Sequence, residues 1–164
     1  MPEKLVISNA SPIMNLAIIG RLDLLREFFS VVYVTHGVWK ETVIDSENKS
    51  GVSEIKNAKW IKVVTIEETP LLQLLLKDLD IGESETIAYA IENKNALVLL
   101  DEEDAREIAD LYGIEKTGVI GILMRAKLEG KISLLRPGMD ELRNNAGFWI
   151  KDSLYEEALK TVGE

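Results

Sequence analysis

The chain has no cysteine. That excludes disulfide staples, thiolate metal sites and cysteine nucleophiles, and it suits a reducing, cytoplasmic setting. It has one histidine, His36, which leaves no multi-histidine metal site and little scope for a Ser-His-Asp relay. No apolar run approaches the roughly 20 residues that span a bilayer, so no membrane segment is expected. Behind Met1-Pro2-Glu3-Lys4 stands only Leu5-Val6-Ile7, too short for the apolar stretch of a secretory signal. Low-complexity tracts, internal repeats and evident linkers are lacking. Neither G-x-x-x-x-G-K-[ST] nor G-x-G-x-x-G occurs, so no nucleotide cofactor is expected.

What is present points to a compact α/β protein. The 164 residues are 46% hydrophobic, enough for a sizeable core, and residues 1–164 read as one domain. The net charge is −9, which taken globally repels nucleic acid. The charge is unevenly spread. Residues 67–115 hold 14 acids against 3 bases, whereas residues 116–151 hold 7 bases against 3 acids. An acidic pole beside a basic one fits a metal site flanked by a phosphate-binding surface, and it equally fits two solvated helix faces.

Strand and helix signals alternate along the chain. Residues 5–8 (LVIS), 30–34 (SVVYV), 60–66 (WIKVVTI), 96–101 (ALVLLD) and 114–117 read as strands. Ser11 is placed to cap the first helix, with Pro12 at its first position. Thr35 caps a helix running through Val38, Glu41 and Ile44. Pro70 opens a Leu-rich helix that Asp80-Ile81-Gly82 breaks. Further helices follow over 83–95, 102–113 and 119–130, then two more before the end. This order predicts βαβ units with right-handed crossovers. The fold class is therefore a three-layer α/β/α sandwich around a mainly parallel sheet.

In such sheets ligands bind beyond the carboxyl ends of the strands. Asn9 follows the first strand, Glu41 lies in the second turn of the helix after the second, Glu83 and Glu85 open a helix, and Asp101 ends a strand before Glu102, Glu103 and Asp104. Four elements thus send oxygen donors to one edge. Clustered carboxylates raise one another's pKa or recruit a cation. With no cysteine and one histidine the cation should be hard, Mg²⁺ or Mn²⁺, which suits phosphodiester hydrolysis. A phospho-receiver domain would place paired acids after its first strand; Ser8-Asn9 stands there instead.

The series SNASPIMNLAIIGRLDLL, VVYVTHGVWKETV, GESETIAYA, ALVLLDEEDAREIA and GVIGILMRAKLEGKI, in that order over residues 4–157, resembles the PIN-domain proteins. More narrowly it resembles the branch with Ser-Pro after the first strand and a GRLDLL helix. The resemblance implies a parallel sheet between helices with acids at its carboxyl edge holding Mg²⁺ or Mn²⁺. It implies a metal-dependent endoribonuclease, plausibly the toxin of a toxin–antitoxin pair: a homodimer that cleaves RNA and is silenced by a small antitoxin. Carried over by position, Glu41, Glu83 and Asp101 match the second, third and fourth acids and are the expected catalytic residues. With Asn9 they are the expected metal ligands, and Asp104 is an outer one. Asn9 stands where the family usually has Asp, and Leu99 where it often has Thr or Ser. Both changes imply weaker metal binding. The alternative reading is a weakened or inactive PIN-fold module that binds nucleic acid or protein.

Several residues have both a functional and a structural reading. Ser11 can turn its hydroxyl toward a metal-bound water, and Glu85 is the rival of Glu83, expected to face elsewhere. Arg125 and Lys127 are the expected backbone-phosphate contacts. His36 reads as structural, with a phosphate contact as its other role. Arg106 reads as an i,i+4 partner of Glu102 or an i,i+3 partner of Glu103. Trp39 and Trp60 read as core or interface, and Trp149 as exposed. The surplus leucines of PLLQLLLKDL suggest burial against a second subunit or partner.

Overall fold

The computed structural model describes residues 4–164. Five strands form one sheet: β1 (Val6–Ser8), β2 (Val32–Thr35), β3 (Ile61–Val64), β4 (Leu97–Leu99) and β5 (Glu115–Thr117). Their order is β3-β2-β1-β4-β5 and every pairing is parallel. Ten α-helices accompany them: α1 (Ala10–Ile18), α2 (Asp23–Phe29), α3 (His36–Trp39), α4 (Val52–Asn57), α5 (Pro70–Leu75), α6 (Ile81–Glu92), α7 (Glu103–Leu111), α8 (Val119–Leu128), α9 (Arg136–Asn144) and α10 (Asp152–Thr161). A π-helical turn, Lys40–Ile44, continues α3.

The strands are short and their alternation divides the core. Successive side chains point to opposite faces. Val6, Val32, Val34 and Leu99 pack on one side with α1, α2, α4, α8, α9 and α10. Ile7, Val98 and Leu100 pack on the other with α5, α6 and α7. Ile7, Val98 and Leu99 are fully buried, as expected where helices cover both faces of a parallel sheet. The three-layer α/β/α architecture expected from the sequence is the one observed.

The strand order matters for function. From β1 the chain steps to β2 on one side and later to β4 on the other. The carboxyl ends of β1 and β4 therefore flank the point where winding reverses, which opens a crevice in doubly wound sheets.

Two local readings are corrected. Residue Asn9, not Ser11, is the N-cap of α1: β1 ends at Ser8 and the backbone turns there (φ −73°, ψ 173°). Ser11 and Pro12 are thus the second and third helical residues, and the Ser11 hydroxyl accepts from Asn15 Nδ2 at 3.0 Å. Arg106 forms no pair with Glu102 or Glu103; its Nη1 donates to the Leu100 carbonyl at 2.5 Å, folding back over the end of β4.

Candidate active site

Asn9 stands at the switch point. Its backbone N–H donates to the Leu99 carbonyl at 2.9 Å, so one residue past β1 is tied to the end of β4. Its side chain makes no cap bond to α1. The residue is 3% exposed, and Oδ1 is buried without a partner among the described residues. A Cβ built on Gly82, in the first turn of α6, would lie 3.7 Å from that oxygen and 3.3 Å from Glu41 Oε2. The Asn9 amide and the Glu41 carboxylate therefore reach one small region, and Gly82 leaves it open.

Glu41 is delivered by the π-helical turn after β2. The Asp45 N–H donates to the Lys40 carbonyl at 2.8 Å, the i→i−5 bond that defines such a turn. The Ser46 hydroxyl caps the Glu41 carbonyl at 2.7 Å. Glu83 is delivered by α6, whose N-cap is Asp80. Asp80 Oδ1 accepts from Glu83 N at 2.8 Å and Glu83 Oε1 accepts from Asp80 N at 3.2 Å, a reciprocal capping box. Asp101 lies two residues beyond β4. Its Oδ1 accepts from Val119 N at 3.0 Å, in the first turn of α8. Its Oδ2 is buried and unpartnered among the described residues. Gly118 makes this possible, since any Cβ there would overlap Asp101 Oδ1.

These elements surround a cavity of about 690 Å³ lined by Asn9, Ser11, Asn15, Glu41, Asp80, Glu83, Glu102, Glu103 and Asp104, among others. Asp101 is not in its wall, although the three acids after it are. The electrostatics join the three expected acids. Burial, then the charges of Asp80, Glu102 and Asp45, push the Glu41 carboxyl up. Burial pushes Glu83 up to about 7 against the bond from Asp80 N, with the charges of Asp80 and Glu102 adding to the rise. Burial pushes Asp101 up to about 6, opposed by the Val119 N–H and the Arg106 guanidinium and helped by Glu102. Glu102 is thus the one charge that acts on Glu41, Glu83 and Asp101 together. From sequence Glu102 is placed only among the acids at the sheet edge, without a ligand role, and Asp80 only in a helix break. The capping pattern Asp80-x-x-Glu83 was legible; the position of Glu102 depends on how α7 leaves β4.

The remaining expected residues are placed as follows. Asp104 and Ser11 line the cavity. Glu85 is buried and faces away, accepting from Gly37 N at 2.8 Å. Arg125 lies over the Phe28 ring, 4.2 Å from its centroid, and pairs with Glu129. Lys127 donates to the Ser133 carbonyl at 2.6 Å. Neither Arg125 nor Lys127 lines the cavity, because α8 turns them toward α2 and the loop after it.

The donor set is all oxygen, which suits a hard divalent cation. The two unpartnered buried oxygens, Asn9 Oδ1 and Asp101 Oδ2, are what such an ion or its water would satisfy. Among the described residues, no three acidic or imidazole side chains converge closely enough to hold a metal as they are placed. The capping box holds Glu83 back, so a ligand set including it requires that carboxylate to turn.

No curated protein matches the chain. A family model described as a PIN domain matches residues 5–164, a span that runs from the first strand through the last helix and takes in every cavity-lining residue named above. The chain belongs to the PIN-domain family.

Proposed function

We propose that the protein is a metal-dependent endoribonuclease that hydrolyses RNA phosphodiester bonds at the crevice between β1 and β4. PIN domains are generally nucleases, and family membership gives this chain a nuclease-type fold. The observation that carries the finer reading is the pair of buried, unpartnered oxygens, Asn9 Oδ1 and Asp101 Oδ2. They stand at the ends of adjacent strands, beside a cavity in whose wall Glu41 and Glu83 are held above their ordinary pKa values. Leaving such atoms unpaired costs about 1–3 kcal/mol each, and a cation with its water removes that cost.

Asn9, Glu41, Glu83 and Asp101 would hold Mg²⁺ or Mn²⁺, with Asp104 and Glu102 outside them. The ion, when bound, would neutralise phosphoryl oxygens and acidify a water. The chain's own residues do the rest. Arg106 and the Val119 N–H hold Asp101 in place. Ser11 and Asn15 form a hydrogen-bonded pair in the cavity wall, positioned to orient water. Glu83, which without the ion holds its proton up to about pH 7, would give it up on joining the ligand set. The same reading includes a homodimer, an antitoxin partner and a cytoplasmic setting. The exposed Leu74 and Leu76 of the Leu-rich segment offer an apolar face for either contact. No helix among the described residues is long and apolar enough to cross a membrane.

Isothermal titration with Mn²⁺ and a gel assay on single-stranded RNA test the proposal. The wild type should bind Mn²⁺ and cleave, and Asp101→Asn should do neither. A second reading has a specific observation behind it: Asn9 removes one charge, and the acids as placed form no ready ligand set. A wild type that binds no Mn²⁺ and leaves RNA intact would establish that non-catalytic reading.

A further inference from the structure

The wall of the acidic cavity contains no lysine, arginine or histidine. A phosphodiester strand brought to it meets carboxylates and neutral side chains but no cationic one, so cationic contacts to the strand must lie outside that wall. A second cavity, of about 330 Å³, adjoins the first through Glu41 and Asp80, which line both. Its other lining residues include His36, Lys40, Asp45, Ile81 and Glu85, and its surface is mostly apolar.

We propose that this second cavity is a nucleotide subsite of the RNA strand, with His36 and Lys40 holding a phosphate that neighbours the scissile one and Ile81 supporting a base. The proposal rests on the nuclease reading above and names where its substrate is held. The two cationic-type side chains stand ready for the task. His36 is exposed, and its ring is hydrogen-bonded to no described residue. Lys40 is exposed and held only by Asp45 at 3.4 Å. Such a surface pair contributes about 0–1 kcal/mol, so a phosphate can displace it.

The acids around them are largely committed elsewhere. Glu85 accepts from Gly37 N and Asp80 from Glu83 N, while Glu41 faces the crevice. Asp45 alone competes for Lys40. Ile81 is 58% exposed, an uncovered aliphatic surface in the first turn of α6. The cavity's volume falls within the roughly 300–1,000 Å³ typical of small-ligand sites. Among the described residues no other lysine, arginine or histidine lines either cavity; Arg125 and Lys127 are engaged on the α8 surface.

The test is fluorescence anisotropy with a labelled single-stranded RNA, in Mn²⁺ and again in EDTA, across a salt series. Both truncated side chains are exposed, so His36→Ala and Lys40→Ala should keep the wild-type melting temperature. Each should weaken RNA binding several-fold, and Lys40→Ala should lower the salt slope by about one. Asp45→Asn, which frees Lys40, should tighten binding. Lys160→Ala, on α10, should change neither affinity nor slope, and titrated Mn²⁺ should bind His36→Ala, Lys40→Ala and Lys160→Ala as it binds the wild type. Wild-type affinity and slope in both truncations, or an equal loss in Lys160→Ala, overturns the subsite. If the wild type cleaves RNA while both truncations behave like it, the subsite alone falls. A wild type that binds no RNA in either buffer overturns the subsite and the endoribonuclease reading together.

Discussion

At the scale of single residues, the site turns on a few side chains with nowhere else to go. Gly118 is the clearest case. Any side chain there would overlap the Asp101 carboxylate, so Gly118→Ala must displace Asp101 or the start of α8. The expected outcome is a loss of Mn²⁺ affinity of about tenfold or more, equivalent to ~1.4 kcal/mol, with a folded circular-dichroism spectrum; titration calorimetry reads it. Asn9→Asp tests the opposite change. An added charge beside Glu41 should bind Mn²⁺ more tightly and speed RNA cleavage, and in EDTA it should lower the melting temperature, because the site gains repulsion with nothing to neutralise it. An unchanged Mn²⁺ affinity would mean that position 9 does not contact the ion. Which residues lie at the crevice was partly legible in the chain. Asn9, Glu41, Glu83 and Asp104 could be placed in its wall because each follows a strand or opens a helix. Glu102 could not, since its role follows from the direction in which α7 departs. Arg106 was misread for a related reason: helical spacing offers it Glu102 and Glu103, but the exposed carboxylates are outcompeted by the free carbonyl at Leu100.

At the scale of elements, α6 carries two tasks in its first turn. The Asp80–Glu83 box caps the helix, and Glu83 also lines the cavity. Asp80→Ala should cost about 1 kcal/mol of stability, seen as a fall of about 2–4 °C in melting temperature. Glu83→Gln separates the tasks, because Gln keeps the box and removes the charge. In EDTA above neutral pH it should raise the melting temperature, while the gain the wild type shows on adding Mn²⁺ should shrink. A fall in EDTA would mean that the charge of Glu83 stabilises the fold. Most helices and all five strands were legible from alternation and from signals such as Thr35 and Pro70. Two boundaries failed: Ser11-Pro12 matched a cap pattern, but Asn9 caps α1 directly after β1 ends at Ser8, and Asp80-Ile81-Gly82, expected to break a helix, is the cap and first turn of α6. The π-helical turn carrying Glu41 has no propensity signature; within it Thr42 and Val43 are buried and the Thr42 hydroxyl donates to the Val38 carbonyl at 2.8 Å.

At the scale of the whole molecule, the acids make stability depend on pH in a definite direction. Glu83 and Asp101 titrate at about 7 and about 6, above their ordinary values of 4.5 and 3.8. A carboxyl raised in the folded state binds its proton more tightly there. The stability it contributes is complete below the unfolded value and is lost as pH climbs through the folded one. In EDTA, therefore, the melting temperature should rise as pH is lowered from about 8 to about 5. Binding of Mn²⁺ should be tighter at the high end of that window and should release protons, visible as heats that depend on the buffer. A melting temperature that falls steadily over the window would contradict the burial of these groups. The charge asymmetry along the chain also takes its meaning at this scale. Part of the basic stretch is drawn into intramolecular pairs, Arg143 with Asp152, Lys116 with Asp110 and Arg125 with Glu129.

Ser8 pairs with Leu99 across the centre of the sheet, and that pairing joins segments made far apart in time on the ribosome. A nascent polypeptide that has not yet released β4 from the exit tunnel has one half of the crevice and no second wall. On the nuclease reading, hydrolytic capacity would thus wait for β4 to emerge, and a product ending before Asp101 would lack it.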